Sequence, residues 1–512
     1  MFKRILIANR GEIAVRIVRT CRELDIETVA VYSEADRDSL HVKYADFAFL
    51  IGPPPSRESY LSIDRILEAA HKSGADAVHP GYGFLAENSE FARRCKEEGL
   101  VFIGPSPEAI EQMGDKVKAR AIMKAAGVPV VPGSDGVLDS EEAVSQAAAA
   151  VGYPFMLKAV AGGGGKALRL IRSPREVPSA YRAVRSEASS SFGDSRLYLE
   201  KYIEHPRHVE VQVLADQSGK IIHLYDRECS IQRRHQKIIE ECPAPALDHR
   251  TRRSLGRIAI QGARAVGYLG VGTLEFLLDR DNNFYFLEMN TRLQVEHAVT
   301  ERVIGIDLVK AQIEVAAGVH LPWRQRHIHP TGHAIECRIY AEDPENDFMP
   351  YPGKIEGLRL PEGMGVRNDC GVYEGAEVPI YYDPMIAKLI VWGENRVEAI
   401  LRMRRALREY QVRGIKTNIP FHQWIVRHPR FMAGDFDTGF IDNEYRFLGK
   451  EEHYPHKEIA LASAAIAALY REQEGTLRLF GKGAAEKSQW RETGKKESLH
   501  AALRRPNWRR GA

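Results

Sequence analysis

Residues 287–297 read LEMNTRLQVEH, and this stretch places the strongest constraint on the fold and its chemistry. Glu288, Asn290 and Arg292 occupy alternate positions, and Glu296 continues the same spacing. Alternate residues of an extended strand share one face, so we expect these polar groups on one side, as far as Glu296 if the chain stays extended. Two carboxylates, an amide and a guanidinium on one face suit the joint binding of magnesium, a nucleoside triphosphate and a small anion.

The preceding residues predict a hairpin that brings a second acid to this face. Residues 271–278 and 284–289 are apolar-rich strands, and 279–283 has turn composition, so Glu275 is expected opposite Glu288. Facing carboxylates repel unless a cation lies between them, and magnesium prefers such oxygen ligands. An exposed, charged hairpin face is the alternative. It is disfavoured because both acids interrupt apolar strands that are expected to be buried.

Length, charge and cysteine content exclude several classes of protein. At 512 residues the chain is too long for one compact core and predicts three or four domains. A net charge of +3, with basic and acidic residues interleaved, gives no signal for nucleic acid binding. Six cysteines without a Cys-x-x-Cys pair predict reduced thiols. We find no signal core and no apolar run of membrane-spanning length, and therefore expect a cytoplasmic protein without a membrane segment.

The first part of the chain alternates predicted strands and helices. Strands are predicted at 4–8, 27–32, 75–79 and 101–103, with a helix at 12–24. This order predicts an open α/β sheet. The first strand-to-helix turn, residues 8–13, lacks the G-x-G-x-x-G spacing of a dinucleotide site, which disfavours a dehydrogenase. Asp115 is the predicted N-cap of a helix at 116–126.

A glycine cluster follows, with KAVAGGGGK at residues 158–166. It is not a Walker A loop, because Val160 and Ala167 stand where that pattern needs Gly and Ser or Thr. Its glycines would still allow backbone N–H groups to close over phosphate oxygens. A flexible linker is the alternative. Predicted strands at 154–157 and 167–171 flank the cluster and favour a hairpin lid instead.

The C-terminal half changes to short strands followed by a helix. Residues 332–340 alternate as a strand, with Arg338 on the polar face. Further strands are predicted at 353–360, 373–378 and 385–392, and a basic helix at 396–410. These elements predict a third domain of α+β type. From residue 447 the composition changes to an Ala-rich predicted helix at 459–470 and a basic tail.

Five segments taken together resemble the biotin carboxylases, which are ATP-grasp enzymes. They are 7–14 (IANRGEIA), 79–88 (HPGYGFLAEN), 229–237 (CSIQRRHQK), 288–297 (EMNTRLQVEH) and 381–388 (YYDPMIAK). The resemblance implies a multidomain α/β and α+β fold. Its parts would be an N-terminal open parallel α/β sheet domain (1–114), a central ATP-grasp domain (115–334) with a mobile glycine-rich lid at about 131–203, a mainly antiparallel C-terminal domain (335–446), and a helical, basic tail of unknown role (447–512).

The resemblance also implies roles for individual residues. Lys237, Arg292 and the backbone of Val295 would hold bicarbonate. Glu296 would remove its proton, and Arg338 would stabilise the enolate-like oxygen of deprotonated biotin. The positions matching nucleotide contacts are Lys116, Lys158, Gly164, Gly165, Glu200, Lys201, Tyr202, Ile203, His208, His235 and Val295. Magnesium or manganese would be held by Glu275 and Glu288, with Asn290 nearby. An ordinary strand end is the alternative for residues 200–203, and a surface or core histidine is the alternative for His208.

The activity implied by the resemblance is ATP-dependent carboxylation of biotin by bicarbonate through carboxyphosphate, with ADP and phosphate as products. The sequence has no Met-Lys-Met acceptor site and no carboxyltransferase-like domain. Biotin is therefore expected on a separate biotin carboxyl carrier protein, with carboxyltransferase subunits as further partners and a homodimer as the assembly. Acetyl-CoA is the expected final acceptor, and pyruvate or another acyl-CoA is the alternative.

Three positions in two segments depart from the family pattern: Ala167, Leu168 and Ala298. Residues 165–168 read GKAL where the lid tip usually continues Gly-Lys/Arg-Gly-Met, and Ala298 replaces a proline. Lid closure is therefore not fixed by the resemblance. Two other functions are weighed: an ATP-grasp ligase acting on a different carboxylate, and a nucleotide-binding scaffold without catalysis. The run at 229–237 disfavours the first, and the intact acid and arginine set at 288–296 with Glu275 disfavours the second.

Overall fold

The structure, a computed structural model, describes residues 1–161 and 167–445. The predicted phosphate contacts Gly164 and Gly165 and the predicted tail helix at 459–470 lie outside the described residues. Among the helices that are described, none combines the length and apolar character needed to cross a membrane.

The N-terminal residues form the predicted open α/β sheet. Its strands are Arg4–Ile7 (β1), Glu27–Ser33 (β2), Phe47–Gly52 (β3), Ala77–His79 (β4) and Val101–Phe102 (β5), and its helices are Gly11–Glu23 (α1), Leu40–Tyr44 (α2), Ile63–Ser73 (α3), Ser89–Glu97 (α4) and Pro107–Gly114 (α5). The strand order is β3-β2-β1-β4-β5, and every pairing is parallel. The prediction of an open parallel sheet is confirmed. The apolar strands suit this arrangement, because helices cover the faces of a parallel sheet.

A smaller three-stranded sheet carries the flanks of the glycine cluster. The elements are Lys116–Ala125 (α6), Glu141–Val151 (α7), Phe155–Ala159 (β6), Leu168–Ile171 (β7), Val177–Phe192 (α8) and Leu197–Lys201 (β8). The sheet has the order β7-β6-β8 and is antiparallel, so the two strands that flank the cluster pair as predicted. Asp115 caps α6 as predicted, because its side chain accepts hydrogen bonds from the N–H groups of Val117 and Lys118.

The rest of the described chain is built around one long sheet. Its strands and the short strands beside them are Arg207–Ala215 (β9), Ile221–Arg233 (β10), Gln236–Cys242 (β11), Gly270–Leu278 (β12), Phe284–Asn290 (β13), His333–Tyr340 (β14), Glu342–Asp343 (β15), Met349–Pro350 (β16), Gly353–Lys354 (β17), Gly357–Arg359 (β18), Val366–Cys370 (β19), Glu377–Val378 (β20), Met385–Gly393 (β21) and Gln411–Arg413 (β22). The helices are His249–Ala265 (α9), His297–Ile304 (α10), Leu308–Ala316 (α11), Arg396–Glu409 (α12), Ile419–Ile425 (α13), Pro429–Ala433 (α14) and Phe440–Glu444 (α15).

The eight-stranded sheet crosses the predicted division at residues 334 and 335. Its order is β13-β12-β9-β10-β11-β14-β21-β19, and every pairing in it is antiparallel. Strand β14 bonds to β11 on one side and to β21 on the other, so strands from both predicted domains share one sheet. The domain boundaries themselves stay a prediction. The shared sheet fixes three predicted site residues relative to one another: Lys237 of β11, Glu275 of β12 and Arg338 of β14.

Two predicted strands are shorter than expected. The predicted strand at 353–360 divides into β17 and β18, and the one at 373–378 is reduced to β20. The cause is a change of partner, because β17 pairs with β20 whereas β18 pairs with β22. One straight strand cannot serve both partners, so the chain bends between them.

All six cysteines lie in the described residues, and each is buried and unpaired. Cys21 and Cys95 pack in the N-terminal sheet region, on α1 and α4. The other four are on strands of the eight-stranded sheet: Cys229, Cys242, Cys337 and Cys370.

Candidate active site

Strands β12 and β13 bring two glutamates face to face. Glu275 pairs with Glu288, and Thr273 pairs with Asn290, so the predicted hairpin register is confirmed. The alternation ends at Asn290, where β13 ends, and Glu296 instead occupies the N-cap position of α10. The extended face therefore does not continue to Glu296. Glu296 reaches the site from the start of a helix rather than from the strand.

The two facing carboxylates have opposite pKa shifts. Burial and the nearby charge of Glu275 raise the pKa of Glu288. Burial would also raise the pKa of Glu275, but Lys237 and His208 hold it well below its usual value. The amide nitrogen of Asn290 donates to Glu275 Oε1 at 2.7 Å. Glu275 is thus an ionised acid held by donors, whereas Glu288 is the crowded member of the pair.

Lys237 is the centre of the buried charge cluster. Its Nζ lies 2.6 Å from Glu210, 2.9 Å from Glu275 and 2.6 Å from Glu296. Burial would lower the pKa of this ammonium, but the three carboxylates raise it well above the usual value. One cation therefore serves three anions from three different segments, β9, β12 and the start of α10.

Glu296 contacts a second cation, Arg338 of β14. Arg338 donates to Glu296 Oε2 at 2.9 Å and, through Nε, to Glu240 at 2.6 Å. Burial would raise the pKa of Glu296, but Lys237 and Arg338 hold it well below the usual range. The carboxylate is therefore ionised at neutral pH and has the protonation state that a base requires.

Arg292 lies near this cluster but pairs with another acid. Its Nε donates to Glu87 at 2.7 Å, and its Nη2 donates to the Asn290 side chain at 2.9 Å. Glu87 comes from the loop that follows β4, so this contact joins the N-terminal sheet region to the hairpin. Two of the five N–H groups of Arg292 are used in these bonds, and a third donates to the carbonyl of Leu293. The carbonyl of Val295 accepts from Lys388 at 2.7 Å.

Several predicted nucleotide contacts form a second charged group. Lys116 begins α6, and burial lowers its pKa, while the charges of Glu288 and Glu200 oppose that shift and Lys158 adds to it. Lys158 Nζ lies 2.5 Å from Glu200 Oε2. Glu200 also lies 3.5 Å from Arg120. Lys116 and Lys158 thus place positive charge close to Glu288 and Glu200, as the binding of a polyphosphate would require.

Of the remaining predicted nucleotide contacts, His208 is buried in the site and His235 is exposed at the surface. The N–H of Lys201 donates to Pro132 at 2.7 Å, and that of Tyr202 to Pro154 at 3.2 Å, while Ile203 is half-buried. His208 is buried, with Nε2 2.6 Å from Glu275 Oε2. Burial would lower the pKa of His208, but Glu275 raises it. His235 is exposed in the turn between β10 and β11, and the structure does not bring it into the buried cluster.

Sequence reasoning missed four residues that hold the cluster together. Arg227 is fully buried and bonds Glu210 and Gln294, the latter at 2.7 Å, while Glu240 and Glu87 hold the two predicted arginines. The available signal was the same one that identified Glu275. Glu210 interrupts an apolar strand, and an acid in such a position must find a partner or lose its charge. Glu87 stood in the segment 79–88 without an assigned role.

The residues present fit a magnesium ion between β12 and β13. Glu275 and Glu288 supply carboxylate oxygens from paired strands, and crowding by Glu275 contributes to the raised pKa of Glu288, a cost that a cation would relieve. Within the described residues, two other groups have clustered ligand atoms: His208 with Glu210 and Glu275, and Glu210 with Cys229 and Glu296. The Lys237 ammonium already lies beside the glutamates of both groups, and it also lies 2.9 Å from Glu275 of the facing pair. A metal at any of these three places would therefore share its carboxylates with Lys237.

Family models cover most of the chain. Residues 1–110 match the biotin carboxylase N-terminal domain, residues 115–324 match the carbamoyl-phosphate synthase L chain ATP-binding domain, and residues 336–443 match the biotin carboxylase C-terminal domain.

Individual relatives agree with the family models. The biotin carboxylase of Halalkalibacterium halodurans is 56% identical over 446 residues, 87% of this chain and 98% of the relative. A pyruvate carboxylase subunit of Methanothermobacter thermautotrophicus is 52% identical over 493 residues, 93% of this chain and 100% of the relative. The crystal structure of the Hydrogenobacter thermophilus 2-oxoglutarate carboxylase biotin carboxylase domain dimer, with MgADP, ADP and bicarbonate, has a TM-score of 0.84 and 48% identity, covering 86% of this chain and 97% of that one.

Proposed function

The chain belongs to the biotin carboxylase family, and from that premise we propose that it carboxylates biotin on a separate carrier protein, using ATP and bicarbonate. ATP would phosphorylate bicarbonate, and the resulting carboxyphosphate would deliver carbon dioxide to a ureido nitrogen of biotin. ADP and phosphate are the other products. The observation that carries this proposal is the contact of Glu296 with both Lys237 and Arg338 beside the Glu275–Glu288 pair.

Glu296 is the proposed general base for bicarbonate. Lys237 and Arg338 hold its pKa low in the free protein. A bicarbonate anion bound against Lys237, Arg292 and the backbone of Val295 would compete with Glu296 for Lys237. The pKa of Glu296 would then rise, which favours proton transfer from bicarbonate. The arginine fork suits a planar carboxylate-like anion, because it offers two parallel N–H donors.

The nucleotide is proposed to lie between the β12–β13 hairpin and the three-stranded sheet β7-β6-β8. Lys116 and Lys158 would contact the phosphates, together with the backbone of residues 164 and 165, and residues 200–203 with His208 and His235 would complete the nucleotide contacts. Magnesium held by Glu275 and Glu288, with Asn290 nearby, would offset phosphate charge. Phosphoryl transfer depends mainly on positioning and on cations placed where negative charge develops, and this arrangement supplies both.

Arg338 is the proposed partner of biotin. A deprotonated ureido group carries negative charge on its oxygen, and a guanidinium within hydrogen-bond reach stabilises that charge. Glu240 anchors Arg338 through Nε at 2.6 Å and also lies 2.5 Å from Nη2, the nitrogen that donates to Glu296. The predicted base and the predicted oxyanion partner are thus held side by side.

A bicarbonate-dependence assay tests this proposal. ATP hydrolysis by the purified chain is measured with and without bicarbonate and with and without free biotin. We expect turnover that requires bicarbonate and rises with biotin. ATP turnover that ignores both would contradict the proposal. Turnover supported equally by another carboxylate would favour the alternative ATP-grasp ligase, and near-normal turnover in Arg292→Ala would contradict the assigned bicarbonate site.

The final acceptor is proposed to be acetyl-CoA, with pyruvate or another acyl-CoA as the alternative. The similarity to a relative named as a pyruvate carboxylase subunit supports pyruvate as the alternative acceptor. The proposed partners are a biotin carboxyl carrier protein and carboxyltransferase subunits, and the proposed assembly is a homodimer acting in the cytoplasm. Reconstitution with carrier and carboxyltransferase, followed by carboxylation of each candidate acceptor, decides between them, and size-exclusion chromatography with light scattering tests the dimer.

A further inference from the structure

Lys388 is a buried lysine to which the proposed reaction assigns no role. It lies in the middle of β21, and its exposed fraction is 0%. Its Nζ donates to the carbonyl oxygen of Val295 at 2.7 Å. An ammonium taken out of water costs free energy that an apolar side chain at this position would not cost. The burial therefore calls for a specific contact that an apolar side chain could not make.

Acids from two other segments hold this ammonium in place. Glu12 of α1 lies 3.4 Å from Nζ, and Asp369 of β19 lies 3.9 Å from it. The Tyr82 hydroxyl donates to Glu12, and Arg367 pairs with Asp369 at 2.7 Å. Lys388 thus joins the N-terminal helix α1, the edge of the long sheet and the segment before α10.

The carbonyl that Lys388 holds belongs to the peptide between Val295 and Glu296. A peptide group is planar, so fixing its oxygen also fixes the orientation of the Glu296 backbone nitrogen and the direction in which the chain leaves it. Glu296 must point at Lys237 and Arg338, which it contacts at 2.6 and 2.9 Å. A rotation of this peptide would move the carboxylate away from both.

We propose that Lys388 is a positioning residue for bicarbonate activation, which holds the Val295–Glu296 peptide so that the Glu296 carboxylate stays beside Lys237, where bicarbonate is proposed to bind. The inference rests on the proposed function of this site. No contact with bicarbonate is assigned to Lys388, since its neighbours in the structure are the Val295 carbonyl, Glu12 and Asp369. Glu12 makes the position of the peptide depend on helix α1 as well as on the sheet.

The test uses a variant that removes the hydrogen bond while keeping the charge balance. Lys388→Met alone would leave Glu12 as a buried acid without its cation, and misfolding would hide the effect. The double variant Lys388→Met with Glu12→Gln removes one positive and one negative charge together. Steady-state ATP hydrolysis is measured against bicarbonate and, separately, against ATP, and thermal unfolding is followed in parallel.

The double variant is expected to raise the KM for bicarbonate while leaving the KM for ATP nearly unchanged. Loss of one charge-assisted hydrogen bond predicts a rise in KM for bicarbonate of about tenfold or more, with a lower kcat and an ATP KM changed by less than about twofold. The matched control is Arg252→Met with Asp226→Asn. That pair also joins a helix to a strand across 2.7 Å, between α9 and β10, but does not contact the 295–296 peptide. It should lower the melting temperature without changing the bicarbonate KM.

Two outcomes would overturn the inference. One is a folded Lys388→Met, Glu12→Gln variant with wild-type KM for bicarbonate. The other is failure of this charge-balanced variant to fold while the control folds, which would assign Lys388 to stability instead. Failure of the proposed function looks different, because the wild-type chain itself would then lack bicarbonate-dependent turnover.

Discussion

Two buried charge clusters of this protein differ in how their charges balance. In the first, which we call the Glu241 cluster, the Glu241 carboxylate accepts hydrogen bonds from Nε and Nη2 of Arg396 at 2.7 and 3.0 Å. Nε2 of His333 lies 2.6 Å from the same carboxylate. Burial would raise the pKa of Glu241, but His333 and Arg396 lower it to about 2. Every oxygen of this carboxylate has a donor, and the cluster ties β11, β14 and α12 together.

In the second, the Lys237 cluster, one ammonium is shared by Glu210, Glu275 and Glu296. The pKa of Glu210 is raised by burial, and the neighbouring acids add to that shift while Arg227 opposes it. Each of these acids also contacts a second basic group: Arg227 for Glu210, Arg338 for Glu296 and His208 for Glu275. The Glu241 cluster therefore joins its elements through one carboxylate with fixed donors, whereas the Lys237 cluster holds several charged groups close together, where a bound anion or cation would exchange partners with them.

The largest effect is expected from Glu296→Gln in the Lys237 cluster. The amide keeps the volume but cannot accept the proton of bicarbonate, so carboxylation should fall by about 10² to 10⁴. Nucleotide affinity, measured by titration, should stay largely intact because no phosphate contact is removed. Glu241→Gln is the matched control in the other cluster and should retain turnover at neutral pH. A Glu296→Gln variant that loses nucleotide binding would contradict the assigned role.

Arg396→Met should have the next largest effect, on stability rather than on catalysis. It removes both arginine bonds to Glu241 and leaves a buried carboxylate with His333 alone. We expect a loss of about 3 kcal/mol in the free energy of unfolding, measured by urea titration, with KM for bicarbonate unchanged. A changed KM together with normal stability would reverse the distinction drawn between the clusters.

The Glu241 cluster also predicts a pH dependence of stability. The folded-state pKa of Glu241 is about 2, below its ordinary value of 4.5. The stabilisation is therefore fully present above the unfolded pKa and is lost as the pH falls through the interval towards the folded pKa. Urea midpoints measured between neutral pH and acid should fall less steeply for Glu241→Gln than for the wild type. An equal fall of the urea midpoint with pH in the two proteins would contradict the pairing of Glu241 with Arg396 and His333.

The smallest effect is expected from Glu288→Gln. Whether this substitution raises or lowers the stability of the metal-free protein is the result that matters. Glu288 faces Glu275 directly across the strands, so removing its charge should stabilise the metal-free protein by about 0.5 kcal/mol. The same variant should lose stabilisation by magnesium and ATP, measured as a smaller rise in melting temperature on their addition. A metal-free protein that is less stable than wild type would show that the facing acids do not repel.

The sequence predicted the parts of the site that follow from strand alternation. The β12–β13 register, the Asp115 cap and the parallel N-terminal sheet follow from local patterns. The partners of Arg292 and Arg338 do not, because Glu87 and Glu240 come from segments that are distant in sequence, and only the tertiary fold brings them together. The face predicted to include Arg292, and Glu296 if the chain stayed extended, ends at Asn290, because β13 ends there and Glu296 lies at the start of α10.

All six cysteines are buried, so their thiols can be used as probes of local and global unfolding. An alkylating reagent reaches such a thiol only when the surrounding structure separates, so the rate of modification measures local or global unfolding. Cys21 and Cys95 report on the N-terminal sheet, and Cys229, Cys242, Cys337 and Cys370 on the long sheet. Mass spectrometry of the labelled peptides would therefore show which of the two sheets separates first, and whether ligands slow one of them selectively.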